Sequence, residues 1–476
     1  MRSKGTGYLS DSVSVFARPS WGQSTHVSEL SFILARRDSF HGLSTGIHQI
    51  EAESANIKVE EMPHTKKPCC GVSSSGRHVC GLLLRNWTAI GLYISVFCVI
   101  LPICCHKWYF SVYYNQKLHL GGASPSVYAR KVNDECIVRA VSFFSQKRDA
   151  QLPRTTNDVK MVIGFVTIKR KGEIKDGGDY KPRYLLQTVA GLLQERLPDT
   201  IHVLICNVAT NPSSHTDAAF LSKYVTVVSR YGKYGAAKPP GHLQDKERED
   251  YIFCLNQSLS YNPRYVLLLE DDALVVPGAV DVLVYVVDKI EDRRYRFEAS
   301  KTLAKLYSPL SLQRDFYTDK PSRIVRNLLE LLSIGLFGGS LLRILYTLLC
   351  ERNRENHRLL DGYFVASLIC CVLAALAISR PHLLELRRIS KQLYMVLEAN
   401  DCCTQAILYH REVAKSIVSQ FEKGFVPDWY PIDAGLDYLA EKLGLAPVCV
   451  EPNLFTHIGM YSALHEGENV YLKDFA

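Results

Sequence analysis

Apolar positions along this chain fall into two patterns: three long uncharged runs, and between them short apolar stretches alternating with amphipathic ones. The first long run, Asn86–Cys105, holds twenty residues without a formal charge. That is about 30 Å of helix at ~1.5 Å per residue, enough for one bilayer crossing. It begins too far into the chain for a cleavable signal peptide. The second run, Leu331–Cys350, lies between Glu330 and Glu351 and carries one charge, Arg343. Its Gly338-Gly339-Ser340 patch is small enough for a neighbouring helix to approach closely. The third, Gly362–Ser379, lies between Asp361 and Arg380, only eleven residues after the second, which predicts a helical hairpin. Arg343 is costly inside a span unless it is paired or reaches the headgroups.

The expected layout is a cytosolic tail at 1–85, membrane helices at 86–105, 329–350 and 362–379, a short cytosolic loop at 351–361, and two lumenal parts at 106–328 and 380–476. With three crossings the two large parts share one side. Charge orients the chain only partly. Lys66, Lys67, Arg77 and Arg85 precede the first span and Arg352, Arg354 and Arg358 occupy the short loop, but Arg323, Arg326, Arg380, Arg387 and Arg388 flank the hairpin on the opposite side. Residues 1–60 contain eleven Ser and no sustained period, which reads as a disordered tail; Met62 is an alternative start.

From about residue 160 the short-range pattern becomes that of an α/β sheet. Val162–Ile168, Ile201–Val208, Tyr224–Val228 and Tyr265–Leu269 read as buried strands, and Tyr184–Glu195 and Lys246–Leu259 as amphipathic helices between them. Such sheets bind ligands beyond the carboxyl ends of their strands. Composition agrees with a folded chain: 476 residues are 47% hydrophobic and 22% charged, and 29 Gly, 20 Pro and 15 Cys spread along the length exclude a collagen-like or disulfide-scaffold protein. A net charge of +8 without a long Lys/Arg block argues against nucleic acid as a partner.

The fourth strand ends directly in Glu270-Asp271-Asp272. Three consecutive carboxylates at a strand end repel one another and need water, a helix terminus or a cation to offset them. They point to a divalent-metal site that also grips a diphosphate, or to a solvated turn. Near the C-terminus, Glu451–Ser462 contains His457-Ile458-Gly459-Met460-Tyr461-Ser462, an H-x-G-x-x-S pattern, and a neutral imidazole suits Mn²⁺ alongside carboxylates.

Val162–Arg170, the helix through Asp250-Tyr251, and the strand into Glu270-Asp271-Asp272 together resemble the nucleotide-sugar half of a GT-A glycosyltransferase, with EDD in place of the commoner D-x-D. The His457 motif is similar to the C-terminal metal-binding histidine of GT-A enzymes, particularly the N-acetylglucosaminyltransferase IV group. A GT-A-like fold split by a membrane hairpin resembles the post-GPI-attachment N-acetylgalactosamine transferase family over roughly residues 85–476, most densely in Ser222–Val225, Lys246–Ala273, Leu384–Arg388, Cys402–Thr404, Lys423–Phe425 and Glu451–Ser462.

The resemblance implies a multi-pass Golgi membrane enzyme with a lumenal catalytic domain. It would transfer GalNAc from UDP-GalNAc to the first mannose of the GPI glycan on GPI-anchored proteins, with inversion. It also implies Asp272 and His457 as Mn²⁺ ligands, Glu270 and Asp271 against ribose or metal-bound water, Ile168 at the uracil, Lys246 at the diphosphate and Thr404 lining the sugar pocket. Inversion needs a general base on the acceptor hydroxyl. Asp433, in Pro431-Ile432-Asp433 at the start of an expected helix, is the first candidate, with Asp437 and Asp428 as alternatives. A Cys206–Cys254 bridge is implied by the same resemblance, and Asn256-Gln257-Ser258 is a possible glycosylation sequon within an expected helix. GalNAc and GlcNAc differ in one hydroxyl orientation, so a GlcNAc transferase acting on N-glycans stays open, as does an inert membrane adaptor on a GT-A shell.

Overall fold

The computed structural model describes residues 87–146, 158–170, 172–173, 179–232, 240–292, 298–314, 320–349, 357–400, 402–427 and 430–462. The expected tail at 1–85, the first part of the loop at 351–361, and Asp428 lie outside them.

Trp87–Cys105 forms α1. Then follow α2 (Gln116–Leu120), α3 (Pro125–Gln146), β1 (Met161–Thr167), β2 (Gly172–Glu173), β3 (Asp179–Tyr180), α4 (Tyr184–Gln194), β4 (Ile201–Asn207), α5 (Thr216–Leu221), β5 (Thr226–Ser229), α6 (Leu243–Leu259), β6 (Tyr265–Glu270), β7 (Ala273–Val275), α7 (Ala279–Glu291) and β8 (Thr302–Lys305). The hairpin is α8 (Pro321–Leu349) and α9 (His357–Ile378). After it come α10 (Arg380–Leu384), β9 (Met395–Glu398), β10 (Ala406–His410), α11 (Arg411–Glu422), α12 (Ile432–Lys442), β11 (Ala446–Glu451) and β12 (Phe455–His457).

One eight-stranded sheet runs in the order β5-β4-β1-β6-β10-β8-β11-β9. The first four strands are mutually parallel. β10 runs against both β6 and β8, β11 lies parallel to β8, and β9 runs against β11. β10, from the chain beyond the hairpin, therefore sits between two strands from before it. Neither half closes the sheet alone.

β1 reads as a nearly continuous apolar run because it is covered on both faces. Ile163 and Phe165 join the core under α4 and α7, while Val162 joins Leu204, Val266 and Leu268 under α6, α11 and α12. From β1 the chain steps to β4 and β5, then returns to β6 on the other side of β1. The winding reverses between β1 and β6, and open α/β sheets take their ligands in the crevice at that point.

α1, α8 and α9 are each long and apolar enough to cross a membrane. In the hairpin, a Cβ at Gly339 would meet the Leu368 backbone nitrogen at 3.0 Å, and one at Gly335 would meet Val372 at 2.6 Å. The small patch thus permits the close approach its sequence suggested. Arg343 is ion-paired with Asp361 at 3.2 Å, which relieves the cost of a charge in a span. α1 lies along α9: Tyr93 donates to the Ala366 carbonyl at 3.0 Å, and Ser111 Oγ and the Val112 amide donate to the Ala377 carbonyl at 2.9 Å.

α8 begins at Pro321, ahead of the apolar run, because its first turns carry charges that the fold pairs. Glu451, 0% exposed, accepts from Arg323 at 2.5 Å and from Arg380 at 2.6 Å. Glu330 accepts from Arg380 at 2.9 Å and from Arg387 at 3.0 Å. Arg326 lies 3.8 Å from Glu451, and Arg388 pairs with Glu385. The five arginines that opposed the charge bias therefore each have a carboxylate partner and a structural reason to be there.

Cys206 on β4 and Cys254 on α6 are disulfide-bonded across a sequence separation of 48. Ser258 of the sequon is buried and donates to the Cys254 carbonyl at 2.8 Å. Closing a loop of this length stabilises a domain by about 4 kcal/mol in the chain-entropy description. Cys206→Ser with Cys254→Ser is expected to lower the thermal midpoint by about 10 °C. Calorimetry of the protein in detergent checks this; an unchanged midpoint contradicts it.

Candidate active site

The parallel pairing of Val166 with Glu270 brings the ends of β1 and β6 side by side. Residues just beyond both strands converge there. Thr167 Oγ1 donates to Asp271 Oδ2 at 2.8 Å and contacts His215 Nε2 at 2.8 Å. The backbone of Ile168 also bonds the Asp271 carboxylate. Arg170 places Nη2 2.7 Å from Asp271 Oδ1 and Nη1 2.7 Å from Asp272 Oδ2. Thr404, just before β10, donates to Glu270 Oε1 at 2.6 Å. The acidic triplet is thus a buried cluster with bonded neighbours on every member, and the solvated-turn alternative does not describe it.

The C-terminal segment reaches the same place through a second small sheet. β12 runs against β7 with His457 opposite Ala273, and the Ile458 amide donates to the Asp272 carbonyl at 2.9 Å. His457 Nε2 then lies 3.3 Å from Asp272 Oδ2. Gly459 must be glycine: a Cβ there would fall 2.3 Å from Asp272 Oδ2 and 2.6 Å from His457 Nε2. The Tyr184 hydroxyl holds the following turn, accepting from the Met460 amide at 2.7 Å and the Tyr461 amide at 3.2 Å.

Burial and mutual charge set the ionisation of the triplet. Burial pushes Glu270 up to about 7, and the Asp272 charge adds to it. Burial pushes Asp271 up to about 6 against the pull of Arg170. Asp272 goes the other way. Burial would raise it, but the Arg170 guanidinium and His457 hold it well below the usual carboxylate range. Asp272 is therefore the member held most firmly in its charged form.

The other expected residues divide. Lys246 lies at the same edge of the sheet, one strand over, with its ammonium bonded to the Val208 carbonyl at 2.8 Å and to Asp250. Asp433 stands in the first turn of α12, half-buried, its carboxylate accepting from the Ala434 amide at 2.8 Å. Asp437, one turn on, is ion-paired with Lys305 at 2.9 Å.

Two residues carried no motif. Arg170 follows β1 at the end of an apolar strand pattern. Glu247 lies beside Lys246 on α6, where burial first, then the charges of Glu270 and Asp433, push its carboxyl up to about 7. Its folded pKa lies above that of an unfolded glutamate. Its contribution to stability is therefore present below about 4.5 and lost as pH rises through about 7. Glu247→Gln is expected to raise the thermal midpoint at pH 8 relative to wild type and to leave it nearly unchanged at pH 5. Melting curves at the two pH values check this, and a gain confined to pH 5 contradicts the sign.

The fold and this cluster define an α/β protein with three helices long and apolar enough to cross a membrane, in which chain from both sides of a helical hairpin brings Glu270, Asp271 and Asp272 together with His457. A family model described as GPI-N-acetylgalactosamine transferase PGAP4 matches residues 161–456, more than half the chain. The chain belongs to that family of glycosyltransferases, whose activity is transfer of N-acetylgalactosamine to GPI. The match runs from β1 to within one residue of His457 and takes in the acidic triplet, the hairpin and Asp433.

Proposed function

We propose that this chain is an inverting, metal-dependent transferase that moves GalNAc from UDP-GalNAc to the first mannose of the GPI glycan on GPI-anchored proteins, at the lumenal face of the Golgi membrane. The observation that carries this is the 3.3 Å approach of His457 Nε2 to Asp272 Oδ2 at the switch point of the sheet. Asp272 Oδ2 and His457 Nε2, 3.3 Å apart, are close enough that both would hold one divalent ion. A carboxylate with an imidazole suits Mn²⁺. Asp272 Oδ1, buried and without a hydrogen-bond partner, is a further oxygen such an ion would satisfy. Among the described residues no third His, Cys, Asp or Glu joins them, which leaves room for phosphate oxygens and water.

When bound, the metal would act as a Lewis acid on the departing diphosphate. The protein's own groups do the rest. Glu270, fixed by Thr404, lines the donor side. Asp433 takes the proton of the attacking mannose hydroxyl; Asp437 is committed to Lys305, which favours Asp433 between the two. Insertion of β10 between β6 and β8 supports a single compartment for both soluble parts, since strands of one sheet cannot be parted by a bilayer. The ion pairs at the base of the hairpin support a catalytic domain held rigidly at the membrane, where a lipid-anchored glycan is presented in few orientations.

Mass spectrometry of GPI glycans from cells lacking this chain tests the proposal. The GalNAc branch should be absent, and should return with wild type but not with Asp433→Asn, which is expected to cost ~10²–10⁴-fold in transfer. Restoration by Asp433→Asn would remove that residue from the mechanism. Donor hydrolysis faster with UDP-GlcNAc than with UDP-GalNAc would favour an N-glycan enzyme instead.

A further inference from the structure

Asp272 is closed in this structure. It is 1% exposed, and Oδ2 is shared between Arg170 Nη1 at 2.7 Å and His457 Nε2 at 3.3 Å, with Gly459 packed against it. A cation reaches this carboxylate only if one of those neighbours withdraws. His457 is fixed by the pairing of β12 with β7, and Gly459 by the Ile458 amide and the two amides on the Tyr184 hydroxyl. Arg170 lies in neither a strand nor a helix and reaches the site on a long side chain whose Nε is buried without a partner. Its remaining contacts are Asp271 Oδ1 at 2.7 Å, the Tyr461 carbonyl at 3.1 Å and the face of Tyr184 at 5.6 Å.

Resting on the metal-dependent reading, we propose that Arg170 is a built-in placeholder cation: it occupies Asp272 until metal and diphosphate arrive together, then releases Asp272 and pairs with the diphosphate. Charge explains why both must arrive. A divalent ion entering beside a guanidinium still clamped to the two aspartates meets like charge at close range, whereas a diphosphate supplies the guanidinium with a new anionic partner. Metal and nucleotide then bind with reciprocal positive coupling, and Arg170 is the element that couples them. Arg170 positions and gates; it need not touch the reacting atoms.

The test is a Mn²⁺ titration of the purified full chain in detergent, reading free Mn²⁺ by electron paramagnetic resonance, with UDP, with UMP and without nucleotide. Wild type is expected to bind Mn²⁺ at least ~10-fold more tightly with UDP than without, and UMP to give little of that gain. Arg170→Gln is expected to bind Mn²⁺ alone ~10-fold more tightly than wild type and to lose most of the gain from UDP. A residue needed only for structure would not tighten metal binding when removed. If Arg170→Gln does not fold, Arg170→Lys carries the test: one compact ammonium cannot fork across both aspartates, so Mn²⁺ alone should bind more tightly and the gain from UDP should shrink. Equal Mn²⁺ affinity and an equal UDP gain in wild type and the folded variant overturn the role of Arg170 alone. Absence of Mn²⁺ binding to both proteins with UDP present overturns the metal-dependent reading and the placeholder with it.

Discussion

Asp272→Asn is expected to lower kcat/KM for GalNAc transfer by at least ~10³-fold, equivalent to ~4 kcal/mol of transition-state stabilisation. The substitution keeps the shape of the side chain and removes the charge in the triplet that the environment holds most firmly: against burial, Arg170 and His457 hold Asp272 below the usual carboxylate range, while burial drives Glu270 and Asp271 upward. It also removes the carboxylate that lies 3.3 Å from His457 Nε2. Arg170 retains Asp271 at 2.7 Å, so the local fold has a remaining ion pair to stand on. Steady-state kinetics with UDP-GalNAc and a GPI-glycan acceptor measures the effect. A loss of less than tenfold would place the metal, or the chemistry, elsewhere.

Glu451→Gln is expected to produce the largest loss of stability, a fall in thermal midpoint of about 10 °C or more. Glu451 is fully buried between Arg323, at the start of α8, and Arg380, just after α9. Neutralising it leaves two guanidinium groups buried with too little negative charge, and breaking a buried pair in this way costs about 3–5 kcal/mol. Glu330 offsets part of that through Arg380 but is not bonded to Arg323. The effect extends past stability. Glu451 opens the segment that carries Asn453, held by Ser308 and Gln313, and then His457. The base of the hairpin thus helps fix the histidine, and Glu451→Gln should weaken Mn²⁺ binding without touching a metal ligand. A midpoint within about 2 °C of wild type would show that the network contributes little.

Periodicity made one half of the fold legible and hid the other. β1, β4 and β6 are buried on both faces and sit in a row of parallel strands, so their apolar runs read plainly. β8, β9, β10 and β11 are short, mixed in direction and separated by the hairpin, and no local pattern joins Ala406–His410 to Tyr265–Leu269. The start of α8 was masked by Arg323, Arg326 and Glu330, which read as a boundary because their partners are distant in the chain. At the site, Asp272 and His457 each stood in a motif, so both were visible. Arg170 and Glu247 lay in stretches that carry the resemblance but with no role of their own: each gains its meaning from charges that only the fold brings near. Lys246, which the resemblance implies at the diphosphate, has its ammonium bonded to Asp250 and to the Val208 carbonyl, a partner that no local pattern announces.

The two parts of the chain, before and after the hairpin, are expected to hold one ion between them. Pulsed electron paramagnetic resonance of Mn²⁺ bound to the full chain with UDP reads this directly. Wild type should show a hyperfine coupling from a directly bound imidazole nitrogen that vanishes in His457→Gln, while Asp272→Asn loses bound Mn²⁺ altogether. Bound Mn²⁺ without that coupling, or a coupling that survives His457→Gln, would contradict it.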